Sequence, residues 1–291
     1  MFRGLGTALI TPFTSSGALD ESALTRFVDW QIAEGVNFLV PCGTTGENPT
    51  LTADEHRRVV ELTVKTANGR VPVLAGAGNN STARAVALAA EAVDLGADGI
   101  LTITPYYNKP TPDGLLRHFG AQAEAIEKKK SGFPMIMYNV PGRTGLNMTA
   151  DTTLRMAREI PNVIGVKEAS GNMEQILSIL RDRKDGFLVL SGDDAWTLPF
   201  LAVGAEGLIS VASNEVPRLM RQMIDERNVA IHNRLLPLLT GNFIESNPGP
   251  AKAAMKMMGI LESDTVRAPL APMTDANRNR MHAILKECDL L

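Results

Sequence analysis

The sequence predicts an α/β chain folded as a (β/α)8 TIM barrel with a C-terminal helical extension. Three observations carry this expectation. Short runs rich in leucine and β-branched residues alternate with longer amphipathic stretches. Most of the short runs, such as Val71-Pro-Val-Leu-Ala75 and Phe187-Leu-Val-Leu190, are nearly all apolar, as in parallel strands buried on both faces. The length of 291 residues, with 44% hydrophobic and 21% charged, suits one closed barrel. Aromatic residues are only 5%, so Val, Ile, Leu, Ala and Met must build the core.

The strand expectations, in order, are Gly4–Thr11, Phe38–Cys42, Val71–Ala75, Gly99–Thr104, Pro134–Asn139, Val163–Lys167, Phe187–Ser191 and Gly207–Val211. Helix signals separate them. Asp20 precedes a stretch with Leu24, Phe27, Val28 and Ile32 on one face. Thr52-Ala-Asp-Glu55 has the form of a capping box and opens a helix to about Lys65. Thr82–Asp94 is alanine-rich and ends before Gly96, a C-cap candidate. Lys128-Lys129-Lys130 reads as the solvated end of a further helix, stopped by Ser131-Gly132. Thr149–Ile160, Asn172–Arg183, Asp194–Val203 and Val216–His232 complete the set. Beyond about Asn233, three more helices are expected, broken at Pro248-Gly249-Pro250 and around Pro269–Pro272. Residues 1–232 would form the barrel and 233–291 an extension packed on it, together one structural unit. An open doubly wound sheet would want a glycine-rich dinucleotide loop after its first strand. Gly4-Leu5-Gly6 and Gly76-Ala77-Gly78 both lack that pattern.

Several function classes drop out on composition. The net charge is −3, with both signs dispersed, so there is no basic footprint for nucleic acid. No apolar run is long enough to span a bilayer, and the N-terminal segment lacks a signal peptide's cleavage region. The expected location is the cytoplasm. Cys42 and Cys288 have no redox or metal spacing, and Cys42 reads as a small buried residue. The histidines are scattered over helices, so no metal and no organic cofactor are expected. Asp193-Asp194 reads as a helix N-cap rather than a metal site.

In such barrels the chemistry lies at the C-terminal ends of the strands. Lys167 is the anomaly there, ending a strand of core formers. One reading is a lysine snorkelling to the rim. The other is a desolvated amine, neutral enough to attack a carbonyl. Tyr138, on the preceding strand, is either an interfacial aromatic or a proton shuttle. Thr44 and Thr45 occupy a glycine-flanked turn that could cradle a carboxylate with backbone N–H groups. Arg143, in a Pro-Gly loop, could clamp a carboxylate in bidentate fashion. Glu47 is read as a structural partner of the threonine turn.

Taken together, Gly43-Thr44-Thr45-Gly46-Glu47, Tyr138-Asn139-Val140-Pro141 and the Lys167 strand resemble the pyruvate-dependent class I aldolase family of dihydrodipicolinate synthase and N-acetylneuraminate lyase. The resemblance runs from Gly4 to the C-terminus. Thr104-Pro105-Tyr106-Tyr107-Asn108 and Arg143 favour the dihydrodipicolinate synthase branch. The resemblance implies an imine between Lys167 and pyruvate, which then condenses with aspartate 4-semialdehyde. It implies a proton relay of Tyr138, Thr44 and Tyr107, and pyruvate contacts from Thr45, Gly192 and Ile209. Arg143 would hold the carboxylate of the semialdehyde. It also implies a homotetramer built as a dimer of dimers, with Tyr107 shared across the tight dimer. Lysine-inhibited members use equivalents of Tyr106, Asn80 and His56 together with a second histidine and a glutamate. Those last two positions are Ala53 and Arg84 in this chain, and Arg84 would repel a lysine ammonium, so weak lysine feedback is expected. Two other functions stay open: a related aldolase acting on another 2-keto or sugar acid, and a catalytically silent ligand-binding barrel.

Overall fold

The computed structural model describes residues 1–291. Eight strands, β1 (Gly4–Ala8), β2 (Phe38–Val40), β3 (Leu74–Gly76), β4 (Gly99–Ile103), β5 (Met135–Asn139), β6 (Val163–Glu168), β7 (Leu188–Ser191) and β8 (Gly207–Ser210), pair in parallel in the order β2-β1-β8-β7-β6-β5-β4-β3. A single parallel bridge, Leu39 to Val73, joins β2 to β3 and closes the barrel. The helices α1 (Glu21–Ala33), α2 (Ala53–Ala67), α3 (Thr82–Asp94), α4 (Pro112–Lys129), α5 (Pro141–Thr144), α6 (Ala150–Glu159), α7 (Met173–Asp182), α8 (Thr197–Ala202) and α9 (Pro217–Glu226) occupy the connections. The chain continues into α10 (Val229–Gly241), α11 (Gly249–Met257) and α12 (Asp275–Glu287).

The local signals act as chemistry requires. The Asp20 carboxylate accepts from the Ala23 N–H at the start of α1. Thr52 and Glu55 form the reciprocal capping box on α2, and Gly96 takes the left-handed conformation (φ +81°) just past α3. Four expectations change. The expected strand Gly4–Thr11 ends at Ala8, because the Asn214 side chain takes over the Ala8 carbonyl and the Ile10 N–H (2.8 and 3.0 Å). Strand β3 starts at Leu74 rather than Val71. Pro72 has no N–H to give, and Val73 donates to the Asp98 carboxylate instead. The expected helix Val216–His232 is two helices. Arg227 adopts φ +51° and Asn228 caps α10, so α10 runs straight through positions 232 and 233. The Pro141-Gly-Arg-Thr144 loop closes as the short helix α5.

Strand alternation divides the apolar residues into two compartments. One set fills the barrel, including Phe38, Val40, Leu74, Leu101, Ile136, Tyr138, Leu188, Leu190 and Ile209, with Phe2 packed among them. The other set lies between strands and helices. Outward-facing polar side chains on strands find partners on the helices: Thr7 donates to Gln31 of α1 at 2.7 Å, and Thr102 to Gln122 of α4 at 2.8 Å. No helix is long and apolar enough to cross a membrane.

Candidate active site

Strand β6 aims Lys167 through an irregularity. Val163 belongs to the strand–helix core, and so does Val166, three residues on. Strict alternation would put residues an odd number apart on opposite faces. A register shift against β5, between Met135 and Ile136, pairs Met135 with Val163 and Ile136 with Gly165. One extra residue is thereby accommodated in β6, and Lys167 turns into the barrel beside its register partner Tyr138. Glu168, next along, faces outward to Asn139, Gln175 and the Ser170 N–H.

Lys167 is only 6% exposed, and its Nζ lies 4.3 Å from the centre of the Tyr138 ring. Burial draws its pKa down to about 7; Asp194 opposes this and Arg143 adds to it. Gly192 packs along its stem. A Cβ there would stand 3.0 Å from the Lys167 Cε and 2.8 Å from the Ala169 Cβ, so a side chain would displace the amine. Burial pushes the Tyr138 phenol up to about 12, with Arg143 and then Thr44 pulling the other way. The phenol therefore stays protonated near neutrality and can donate. Ile209 is buried in the same interior set.

The turn after β2 is tightly constrained. Cys42 and Glu47 both adopt left-handed backbone, at φ +56° and +54°. Gly76 must be glycine, since a Cβ would sit 2.1 Å from the Cys42 carbonyl oxygen. The Gly46 and Glu47 N–H groups fold back onto Gly43 O and Thr44 O, both at 3.1 Å, and Thr11 donates to Gly46 O at 2.7 Å. The Thr44 and Thr45 N–H groups have no protein acceptor. Thr44, Tyr138 and Arg143 line a cavity of about 240 Å3, together with Gly43, Ile103 and Tyr106. Lys167 is not in that wall; it lies against Tyr138, which is. Arg143, exposed on α5, makes no ion pair within the protein.

The structure thus brings Lys167, Tyr138, Thr44, Arg143, Gly192 and Ile209 to one end of the barrel. Thr45 is buried there with its hydroxyl accepting from Asn247 at 3.0 Å. Tyr107 is different. It is 89% exposed with φ +72°, and its own chain does not draw its ring into the site. The aspartate pair is divided in role. Asp193 accepts from the Ala195 and Trp196 N–H groups ahead of α8, close to the expected capping. Asp194 is instead fully buried, accepting from the Ser210 hydroxyl and from Val211 N and Ala212 N, and burial raises its pKa to about 6. That ties the end of β7 to β8. Asp194 reads from the sequence only as a helix cap, and no sequence signal marks Asn247 or Lys252 as part of this region. Asn247 precedes a helix-breaking Pro248, which marked only a boundary. No three His, Cys, Asp or Glu side chains converge as metal ligands would.

A (β/α)8 barrel with a buried lysine near the end of its sixth strand, beside a tyrosine and a threonine turn, defines a lyase of the barrel class. The chain belongs to the dihydrodipicolinate synthetase family, whose family model matches residues 1–288. A 4-hydroxy-tetrahydrodipicolinate synthase of Koribacter versatilis is 49% identical to it, covering 99% of this chain and 97% of that protein. A dihydrodipicolinate synthase crystal structure from Aquifex aeolicus superposes with a TM-score of 0.94 at 42% identity, over 99% of each chain. A monomeric dihydrodipicolinate synthase variant superposes equally well, at 39% identity over 100% of this chain and 98% of that one.

Proposed function

We propose that the chain condenses pyruvate with L-aspartate 4-semialdehyde to give 4-hydroxy-tetrahydrodipicolinate, through an imine on Lys167. The observation that carries this is the Lys167 amine: buried, held over a phenol ring, and with a pKa near 7. A substantial neutral fraction at physiological pH makes it a nucleophile, which an ordinary ammonium is not.

The steps follow from the groups around it. The neutral amine attacks the keto carbon of pyruvate, and loss of water leaves the imine. Loss of a methyl proton gives the enamine, whose carbon attacks the aldehyde of the second substrate. The substrate's own amine then displaces Lys167 and closes the ring. Each stage moves a proton, and the protonated Tyr138 phenol beside Thr44 supports a relay through this pair. The free N–H groups of Thr44 and Thr45 suit the pyruvate carboxylate. Gly192 and Ile209 shape the space around the imine. Arg143, without an internal partner, suits the carboxylate of the semialdehyde. No group beyond the chain and its substrates enters these steps. Tyr107 completes the relay only from a second copy of the chain, which calls for at least a dimer; the family resemblance extends this to a homotetramer built as a dimer of dimers. Lysine feedback is weak on this reading, since Ala53 and Arg84 stand where lysine-inhibited members use a histidine and a glutamate.

Borohydride reduction in the presence of pyruvate, followed by peptide mapping, tests the reading. The expected result is a pyruvate adduct on Lys167. Its absence, with activity retained, would sink the mechanism.

A further inference from the structure

Glu47 carries the one side chain of the Gly43–Glu47 turn that the proposed chemistry leaves unused, and its surroundings are unusual. Its carboxylate is buried, with a lysine from the distant helix α11 as partner. Lys252 Nζ lies 2.5 Å from Glu47 Oε1, with the two side chains 0% and 1% exposed. The Lys252 ammonium also donates to Thr265 O at 2.9 Å and sits 4.3 Å over the Phe13 ring. The second Glu47 oxygen accepts from the Arg267 N–H at 3.0 Å. Arg267 in turn holds Glu55 with both ends of its guanidinium, at 2.7 and 2.6 Å. Two residues earlier in the turn, Thr45 accepts from Asn247, whose own Oδ1 is buried with no partner. The turn is thus gripped at both of its buried side chains by residues more than two hundred positions away.

We infer that Asn247 and Lys252 of the C-terminal extension are positioning residues for the carboxylate-binding turn. They lock Thr45 and Glu47 so that the Thr44 and Thr45 N–H groups stay aimed at the keto acid. The assignment rests on the proposed role of that turn. Left-handed backbone at Glu47 is not self-sustaining, and the Lys252 ammonium and Arg267 N–H that hold its side chain come from the extension. Burying a full ion pair adds little net stability compared with apolar residues of the same shape. Its effect is to fix one geometry of the turn.

The test compares pyruvate and semialdehyde dependence in two folded variants, Asn247→Ala and the double variant Glu47→Gln/Lys252→Met. The double variant removes the ion pair without stranding either charge. In each, the pyruvate concentration that half-saturates borohydride trapping is expected to rise about tenfold, the worth of one lost aiming contact. The semialdehyde KM should move by less than about twofold. Lys252→Arg, which keeps the charge, should recover part of the loss. Wild-type pyruvate dependence in both folded variants overturns the assignment, as does an equal loss for both substrates that follows melting temperature. No adduct in the wild-type protein overturns the imine reading itself, and the positioning role with it.

Discussion

Two lysines are buried near the same end of this barrel, and they have opposite characters. Lys167 and Lys252 both lie 4.3 Å over an aromatic ring, Tyr138 and Phe13 respectively. Burial lowers the pKa of both. Lys252 has a carboxylate at 2.5 Å and a carbonyl at 2.9 Å. Lys167 makes no hydrogen bond within the chain; Asp194 acts on it only as a neighbouring charge. A buried ammonium with a matched carboxylate is structural, whereas one without is driven toward the neutral amine. Partner supply, rather than burial, separates the lysine proposed to form the imine from the one held in an ion pair.

Exchanging each lysine for methionine is the most direct way to break the comparison. Lys167→Met should reduce turnover by at least about a thousandfold, since no other amine replaces it. It should not reduce stability. The folded protein holds this amine near pH 7 against 10.5 for a free lysine. The unfolded chain therefore binds the proton more tightly, and the folded state is penalised fully below pH 7. That penalty fades as the pH rises toward 10.5. At neutral pH the variant is expected to match or exceed the wild type in denaturant melts. Lys252→Met alone should do the reverse at the level of the fold, costing about 3–5 kcal/mol because Glu47 is left buried and unpaired. Equal stability loss in the two variants would erase the distinction.

Changing the ring sharpens it further. Tyr138→Phe gives Lys167 the same kind of platform that Lys252 has, without the hydroxyl. Turnover should fall about a hundredfold or more, the size of a lost acid–base group, with stability near wild type in thermal melts. The smallest effect is in pH. The rate of pyruvate trapping should rise through about pH 7 as Lys167 loses its proton, so at pH 6 it should be about tenfold below its plateau. A rate that keeps rising through pH 9 would mean an unperturbed lysine.

The order of strands and helices could be read because each follows from a short-range signal. The Thr52–Glu55 capping box, the Asp20 cap and the glycine after α3 act within a turn of the residues that carry them. Element ends were less legible wherever a distant side chain intervened, as Asn214 does at β1 and Asp98 at β3. The buried role of Asp194 escapes a local reading for the same reason: its partners, at the end of β8 and just beyond it, lie sixteen to eighteen residues on. The grip of Asn247 and Lys252 on the threonine turn spans about two-thirds of the chain, and no local pattern announces it.

The sequence by itself determined the barrel and the kinds of chemical group at its mouth, because hydrophobic period and turn residues are local properties. Which way Lys167 points was decided in the tertiary structure. Alternation counted from Val163 would place Lys167 on the helix-facing side of β6. The register shift against β5 reverses that and turns the amine inward. Such a shift is set by how two neighbouring strands pair and pack, a relation between segments that neither segment encodes alone.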